Sequence, residues 1–389
     1  MSNTRTIFTI SLLFALTSWV DHVDANTSRG TTRDWSLEII GTFDLLANLR
    51  GGRKRGIDIP STLEIVGDYF WGDADNANAH HIKLNLLGTA GGNFSADRIG
   101  DIQTVSSVEA PNSAKLFEAW YEYTFGAKRA SLRAGLQDLN AEFYVLERAS
   151  SLLHSSFGIG PEIAQANASL FPTTALGAVV RIRPNDKTYV AAGIYDGFPG
   201  SPTDKFGTHI LFDDGDGLFA IGEVGYVDAA HELPAKAAIG VWHTTASFED
   251  IAGVTHGGNS GAYVITELPL TKIRGDGNLG LFLQFGFARA SRNEVGRYFG
   301  GGLHWIAPFA GREEDEFSAG VAHARLSNTH RQANGLRCHT ETAIELSYAY
   351  QLNDWLVVQP DIQFVIDPGS DDEIDDAVIA GIRIVVQLP

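Results

Sequence analysis

The chain is poor in sulfur. It holds one cysteine, Cys338, and one methionine in 389 residues. A lone cysteine can form no internal disulfide and no multi-thiolate zinc site. Positive charge is also scarce: 29 Lys and Arg stand against 47 Asp and Glu, a net charge of −18. Phosphate binding needs clustered positive charge, so no nucleic-acid partner is expected. Long apolar runs are missing too. No stretch reaches the roughly 18 apolar residues that a membrane-spanning helix requires. If such a chain lives in a bilayer, it does so as a closed barrel, because lipid leaves no other way to satisfy the backbone. What the chain does have is 42 glycines, 44% apolar residues and 10% aromatics. That is too much apolar surface for a disordered acidic chain.

The first 25 residues read as an export signal. Arg5 supplies a positive start, residues 7–16 (IFTISLLFAL) an apolar stretch too short to span, and Val23-Asp24-Ala25 a cleavage site. The expected mature chain, 26–389, has no fixed-period repeat and no Pro- or Ser-rich linker, so it reads as one domain.

That domain alternates almost from end to end. Val378, Ala380, Ile382, Ile384, Val386 and Leu388 share one face, with Arg383 and Gln387 on the other. Leu356, Val358, Pro360, Ile362, Phe364 and Ile366 oppose Gln359, Asp361 and Gln363. Thr342, Ile344, Leu346, Tyr348 and Tyr350 oppose Glu341, Glu345 and Ser347. Phe117, Ala119, Tyr121, Tyr123 and Phe125 oppose Glu118, Trp120 and Glu122, and Leu132, Ala134 and Leu136 oppose Arg133 and Gln137. Each is a period-two strand. A soluble sandwich alternates as well, but its strands run nearer five or six residues. Strands of about ten residues match the tilted span of a membrane barrel. Only 150–157 and 161–170 look compatible with a helix. The turn 351–354 is short and flanked by Tyr348, Tyr350 and Trp355, whereas the connection 367–376 (DPGSDDEIDD) is longer and strongly acidic. Short turns on one side and long polar loops on the other are the barrel asymmetry. At roughly 20 to 23 residues per strand and connection, the mature chain makes about 16 to 18 strands. The expected fold is all-β: a transmembrane antiparallel β-barrel of 16 strands, with 18 as the alternative.

Several ordered words then carry a resemblance. Gly135-Leu136-Gln137-Asp138-Leu139-Asn140-Ala141-Glu142-Phe143 comes first. Ser155-Ser156-Phe157-Gly158-Ile159-Gly160-Pro161, Phe171-Pro172-Thr173-Thr174-Ala175-Leu176-Gly177-Ala178 and Tyr195-Asp196-Gly197-Phe198-Pro199-Gly200 follow it. Upstream stand Gly100-Asp101-Ile102-Gln103-Thr104-Val105 and Glu118-Ala119-Trp120-Tyr121-Glu122, and downstream Gln359-Pro360-Asp361-Ile362-Gln363. Over nearly the whole mature chain this resembles the carbohydrate-selective porins of the OprB type. The resemblance implies a 16-stranded outer-membrane barrel, narrowed by loops folded into its lumen, that lets glucose-type sugars diffuse inward. Unlike the family's usual aromatic last residue, this chain ends Gln387-Leu388-Pro389.

A sugar offers hydroxyls and apolar C–H faces but no charge. A pore that favours it needs charged or amide groups to replace water, an aromatic surface, and binding weak enough for release. Alternation places Glu64, Asp68, Lys83, Glu118, Trp120, Glu122, Arg133, Arg181, Arg183, Glu223, Glu345, Asp361 and Arg383 on the wet face. The family motif carries over onto Glu118, Trp120, Glu122, Arg133, Asp138 and Glu142. Residues 155–161 read as the constriction loop, with Phe157 as an apolar contact. Together with Arg181 and Arg183 these form the expected substrate-binding lining.

Other chemistries have less support. His154-Ser155-Ser156 lacks the spatial arrangement of a nucleophile and base, and no G-x-S-x-G elbow exists, so no catalytic residue is assigned. His80-His81 lacks metal-ligand spacing. Asp213-Asp214-Gly215-Asp216-Gly217 looks like half a calcium loop without its distal Glu; Asp214 and Asp216 are the remaining metal candidates. No cofactor is expected beyond divalent cations loosely held at acidic outer loops. The expected partners are sugars, outer-membrane lipid and lipopolysaccharide, and the barrel-assembly machinery, with the chain either monomeric or trimeric. A general porin, or a surface-binding barrel whose loops carry the function, stays open as the alternative.

Overall fold

The computed structural model describes residues 31–73, 78–211, 213, 215–228, 234–249, 254–272 and 277–389. The expected export signal at 1–25 lies outside them. The strands are β1 (Thr31–Arg50), β2 (Gly56–Asp58), β3 (Ser61–Asp73), β4 (Asn78–Ala90), β5 (Ser113–Phe125), β6 (Ala130–Gln137), β7 (Ala175–Asn185), β8 (Thr188–Asp196) and β9 (Leu218–Asp228). They continue as β10 (Ala235–Glu249), β11 (Thr255–Lys272), β12 (Asn278–Ala288), β13 (Val295–Ile306), β14 (Glu316–Leu326), β15 (Thr340–Asn353), β16 (Leu356–Ile366) and β17 (Ala377–Leu388).

Each long strand pairs antiparallel with the next, and β17 closes on β1 through Ile39↔Leu388 to Arg50↔Val378. The short β2 pairs with β1 alone, at Leu46–Asn48. Sixteen of the seventeen strands therefore form the closed ring, and β2 is an addition at its rim. Closure removes every edge, as a lipid environment demands. The 16-strand expectation holds and the 18-strand alternative does not.

The interior and exterior are inverted relative to a soluble protein. Leu84, Leu132, Ile182, Ile194, Val224, Ile239, Val241, Phe287 and Ile382 stand exposed on the outer wall. Between them, Glu118, Gln137, Glu223, Gln284, Glu345, Gln359 and Arg383 turn inward and are buried. Exposed apolar surface of this extent marks contact with lipid. At the short-turn rim, rings of Tyr69, Trp71, His80, Tyr123 and Phe125 stack in series with centroids 4.8 to 5.4 Å apart. Arg312 lies 3.7 Å over Tyr350 farther round. Beside 351–354 itself, Tyr350 and Trp355 stand exposed, as expected of an aromatic girdle at this rim.

One expected face is wrong locally. Phe117 does not share the outer face of Ala119 and Tyr121. The β4–β5 register steps from Asn85↔Glu118 to Leu86↔Leu116, so Phe117 occupies a bulge and turns inward, against Phe171. A bulge inserts one residue and breaks the period of two. The helix-compatible stretches give only single turns, α1 (Ser155–Gly158) and α2 (Pro161–Ala164). A longer helix, α3 (Asn328–Asn334), caps an outer loop.

The apolar core sits inside the barrel rather than in its wall. Phe94, Ile99 and Val105 of one loop and Leu139, Phe143, Tyr144, Phe157 and Ile163 of another pack with Tyr263, Phe282 and Tyr298 of the wall. Both loops, 91–112 after β4 and 138–174 after β6, leave the long-loop rim and fold into the lumen. The first of them was not expected as a constriction element.

Candidate functional site

The inner wall from β4 to β8 carries a ladder of charges. Neighbouring strands place the wet-face residues opposite one another, as in the register pair Glu122↔Arg133. Lys83 Nζ lies 3.0 Å from Glu118, whose other oxygen accepts from Trp120 Nε1 at 3.1 Å and from the Asp138 N–H at 3.3 Å. Arg133 stacks on Trp120 at 4.2 Å, donates to Glu122 at 2.9 and 3.0 Å and reaches Glu142 at 3.6 Å. Arg181 pairs with the other oxygen of Glu142 and covers the Tyr189 ring at 4.5 Å. Tyr189 in turn donates to Glu223 at 2.5 Å. Three cations, Lys83, Arg133 and Arg181, thus meet three carboxylates, Glu118, Glu122 and Glu142. Such a wall presents many oriented hydrogen-bonding groups and little net charge.

The two in-folded loops meet one another beside this ladder. Ser155 donates from N and Oγ to the Thr104 carbonyl at 3.0 and 2.8 Å, and the Ser107 N–H reaches the Leu153 carbonyl at 2.7 Å. Between them and the 197–217 loop opens a cavity of about 350 Å³, lined by Gln103, Asp138, Asn140, Ser156, Asn167 and Phe171 among others. That volume lies within the usual range of small-molecule sites, about 300–1,000 Å³. Burial pushes the Asp138 carboxyl, at the edge of this cavity, up to about 8. It therefore adds no full negative charge to the ladder at neutral pH.

The opposite wall does different work. Four glutamates there accept backbone N–H groups of the loops. Glu223 takes Tyr144 at 3.0 Å, Glu267 takes Arg148 at 2.5 Å, and Glu345 takes Leu153 and His154 at 2.5 and 3.0 Å. Glu341 takes Ile102 and Gln103, both at 2.8 Å. Amides add to this. Gln284 donates to the Phe157 carbonyl at 2.8 Å, Gln359 to Ser151 at 2.5 Å and Gln363 to Val105 at 2.9 Å. Glycines leave room for the loop side chains. A Cβ on Gly320 would lie 2.6 Å from the Phe157 ring, and one on Gly286 would lie 2.0 Å from the Glu162 carboxyl carbon.

The expected lining therefore divides. Glu118, Trp120, Glu122, Arg133, Glu142 and Arg181 come together in the ladder, and Asp138 joins it to the cavity. Arg183 stands apart, exposed at the short-turn rim near Arg129 and Asp186. Phe157 is fully buried against Phe282 and His154, so its ring packs and does not face the passage. Glu223 and Glu345, expected simply as wet-face groups, anchor loops. Arg383 clasps Asp44 through two contacts of 2.7 Å, and Asp361 accepts from Gln363. Sequence reasoning missed Gln103, Asn140 and the anchoring role of Glu267 and Glu341. Of the metal candidates, Asp214 lies outside the described residues, and Asp216 sits beside Asp196 and His209.

A closed 16-stranded antiparallel barrel with lipid-facing apolar residues and loops folded into a polar lumen defines a porin. Comparison with known proteins names the kind. The profile of the carbohydrate-selective porin, OprB family, matches residues 74–388, and the chain belongs to that family. Porin B of Pseudomonas aeruginosa is 28% identical over 188 residues, 40% of this chain and 41% of that protein. The putative porin QuiX of Acinetobacter baylyi is 25% identical over 173 residues, 39% of each chain. The matched stretch thus spans less than half the length of these curated relatives. The solved structure of Pseudomonas putida OprB at high pH superposes with a TM-score of 0.76 at 20% identity, covering 92% of this chain and 94% of that one. Porins of this family and fold are outer-membrane channels.

Proposed function

We propose that this protein is a passive outer-membrane channel selective for glucose-type carbohydrates, and not an enzyme, exported with its first 25 residues removed. The observation that carries this is the balanced ladder: three cations against three carboxylates, with Trp120 stacked under Arg133, beside a loop-lined cavity. A wall of net charge favours ions of the other sign. A balanced wall instead offers strong donors and acceptors to a neutral polyol, and Trp120, buried beneath Arg133, holds the guanidinium in place. Glu118, Glu122, Arg133, Glu142 and Arg181 exchange hydrogen bonds with sugar hydroxyls, and Asp138 hands the solute from the cavity to the ladder. The solutes are sugars, and the outer wall faces lipid and lipopolysaccharide.

Planar-bilayer conductance of the refolded mature protein, titrated with glucose, maltose and arginine, tests this. Ohmic steps blocked saturably by a sugar, and not by arginine, are expected. Equal steps without sugar block would leave a general porin and overturn the selectivity. Absence of steps from a folded, heat-modifiable barrel would overturn the channel itself.

A further inference from the structure

The loop 197–217 leaves β8 at Asp196 and returns to β9, and it carries a cluster that the channel reading does not use. Three ligand atoms, one each from Asp196, His209 and Asp216, lie within 4.8 Å of one another. His209 Nε2 is 3.4 Å from the Asp216 carboxylate and 3.7 Å from that of Asp196. The nitrogen is buried and makes no hydrogen bond. Both separations exceed an ordinary N–H···O bond of about 2.7–3.2 Å. They do match the edge of a tetrahedral metal centre. Bonds of about 2.0–2.2 Å put its ligand atoms about 3.4 Å apart.

The surroundings hold the three groups in place. The Asp213 N–H binds Asp216 Oδ2 at 3.0 Å, and the Phe198 N–H binds Asp196 Oδ1 at 3.2 Å, which leaves Asp196 Oδ2 for the cluster. The Phe198 ring meets the imidazole edge-on at 5.2 Å. Gly200 makes room for His209, because a Cβ there would stand 3.0 Å from His209 Cβ. The Gly197 N–H to Gly217 carbonyl bond of 3.2 Å draws the legs of the loop together.

We propose that Asp196, His209 and Asp216 bind a divalent transition-metal ion of the zinc type, which clips the outer loop 197–217 to the end of β8. Two carboxylates balance the ion's charge. The imidazole selects zinc-like ions over calcium and magnesium, which prefer oxygen ligands alone. A fourth position is left for water. Pro199, Gly200 and Pro202 of this loop line the cavity between the loops, so the ion fixes part of the channel mouth. The site stands independently of which solute the pore prefers.

The test is a zinc titration by calorimetry of the refolded, chelator-treated porin in detergent, with His209→Ala and Asp196→Asn beside the wild type. Asp354→Asn, at the short-turn rim, is the control. Retained heat-modifiability shows that each variant keeps its barrel. One site is expected in wild type and in the control, weakened at least tenfold in both cluster variants. Trypsin cleavage after the exposed Lys205 supplies a second reading: zinc slows it about tenfold in wild type and leaves His209→Ala unchanged. Identical isotherms for wild type and His209→Ala would overturn the site and leave a plain contact between an imidazole and two carboxylates. Calcium binding as tight as zinc would overturn the assignment of metal type.

Discussion

The two arcs of the barrel wall carry similar residues to different ends. From β4 to β8, carboxylates meet cations: Glu118 with Lys83 and Glu122 with Arg133 on neighbouring strands, and Glu142 of the 138–174 loop with Arg181. From β9 to β15, glutamates Glu223, Glu267, Glu341 and Glu345 meet backbone N–H groups of loops distant in sequence. The first arc keeps its charges in ion pairs facing the lumen, where a solute can compete for them. The second spends its charges on holding the constriction. A glutamate in this lumen is thus a selectivity group where a cation faces it and a structural anchor where loop amides do, and Glu118, which meets both Lys83 and the Asp138 N–H, bridges the two roles.

Breaking an anchor should have the largest effect. Glu345→Ala leaves the Leu153 and His154 N–H groups without their acceptor, in the interior of the barrel. Each buried donor so orphaned costs about 1–3 kcal/mol. The loop then leaves its seat while the barrel stays closed. Single-channel conductance is expected to rise several-fold and sugar block to disappear. Glu122→Ala, on the other arc, should leave conductance within about twofold. Equal conductance changes in the two variants would dissolve the distinction between the arcs.

A steric lesion reaches the same loop from the wall. At Gly320 an added side chain meets Phe157 and Leu152 of the loop at 2.6 to 2.9 Å. Overpacking of this kind costs about 1–3 kcal/mol. Gly320→Val should therefore raise conductance less than Glu345→Ala does, with more open-channel noise, and a silent substitution would show that the loop does not seat there.

Arg133 sharpens the comparison from the other side. It is the one cation of the ladder that touches both Glu122 and Glu142 and stacks on Trp120. Arg133→Ala should weaken sugar block about tenfold, equivalent to about 1.4 kcal/mol, without changing the barrel's thermal shift. Arg133→Lys keeps the charge but loses the planar fork, and should recover only part of the block. Full recovery by Lys would reduce the residue's part to simple charge.

The first arc was legible in the sequence and the second was not. Period two puts Glu122 and Arg133 on the wet faces of strands joined by a four-residue turn, so their pairing follows from local order. The same logic found the outer faces of β15, β16 and β17, and with them the membrane barrel. It failed at Phe117, because a single inserted residue reverses the face and leaves no mark in composition. Glu341 meets Gln103 across 238 positions, and Glu345 meets Leu153 across 192. No spacing rule spans such distances; only ring closure brings them together. Asp196, His209 and Asp216 were obscured differently. The aspartate-rich run 213–217 drew attention to Asp216 beside Asp214, whereas its partners lie 20 and 7 residues back, at Asp196 and His209.

The smallest effect concerns pH, and it falls on the loop rather than on the wall. Glu162 of α2 is fully buried in the 138–174 loop and seats over Gly286 of β12. Burial pushes its carboxyl from 4.5 up to about 8. A raised carboxyl favours the protonated, docked state: its contribution is complete below about 4.5 and is lost as pH rises toward 8. Glu109, pushed by burial up to about 7, acts in the same direction in the neighbouring loop. His154, lowered by burial to about 3, acts oppositely, but its change is complete by about 6.5, the ordinary value for histidine. Between pH 6.5 and 8.5 the carboxyls therefore govern, and docking weakens with rising pH. Hydrogen exchange of the α2 amides should quicken over that window beyond the intrinsic rate, and Glu162→Gln should flatten the excess by keeping a neutral group at every pH. Asp138, in the same loop and also pushed up to about 8, and Glu109 titrate in this window too, so a slope that survives the substitution would move the titration to one of those two carboxyls.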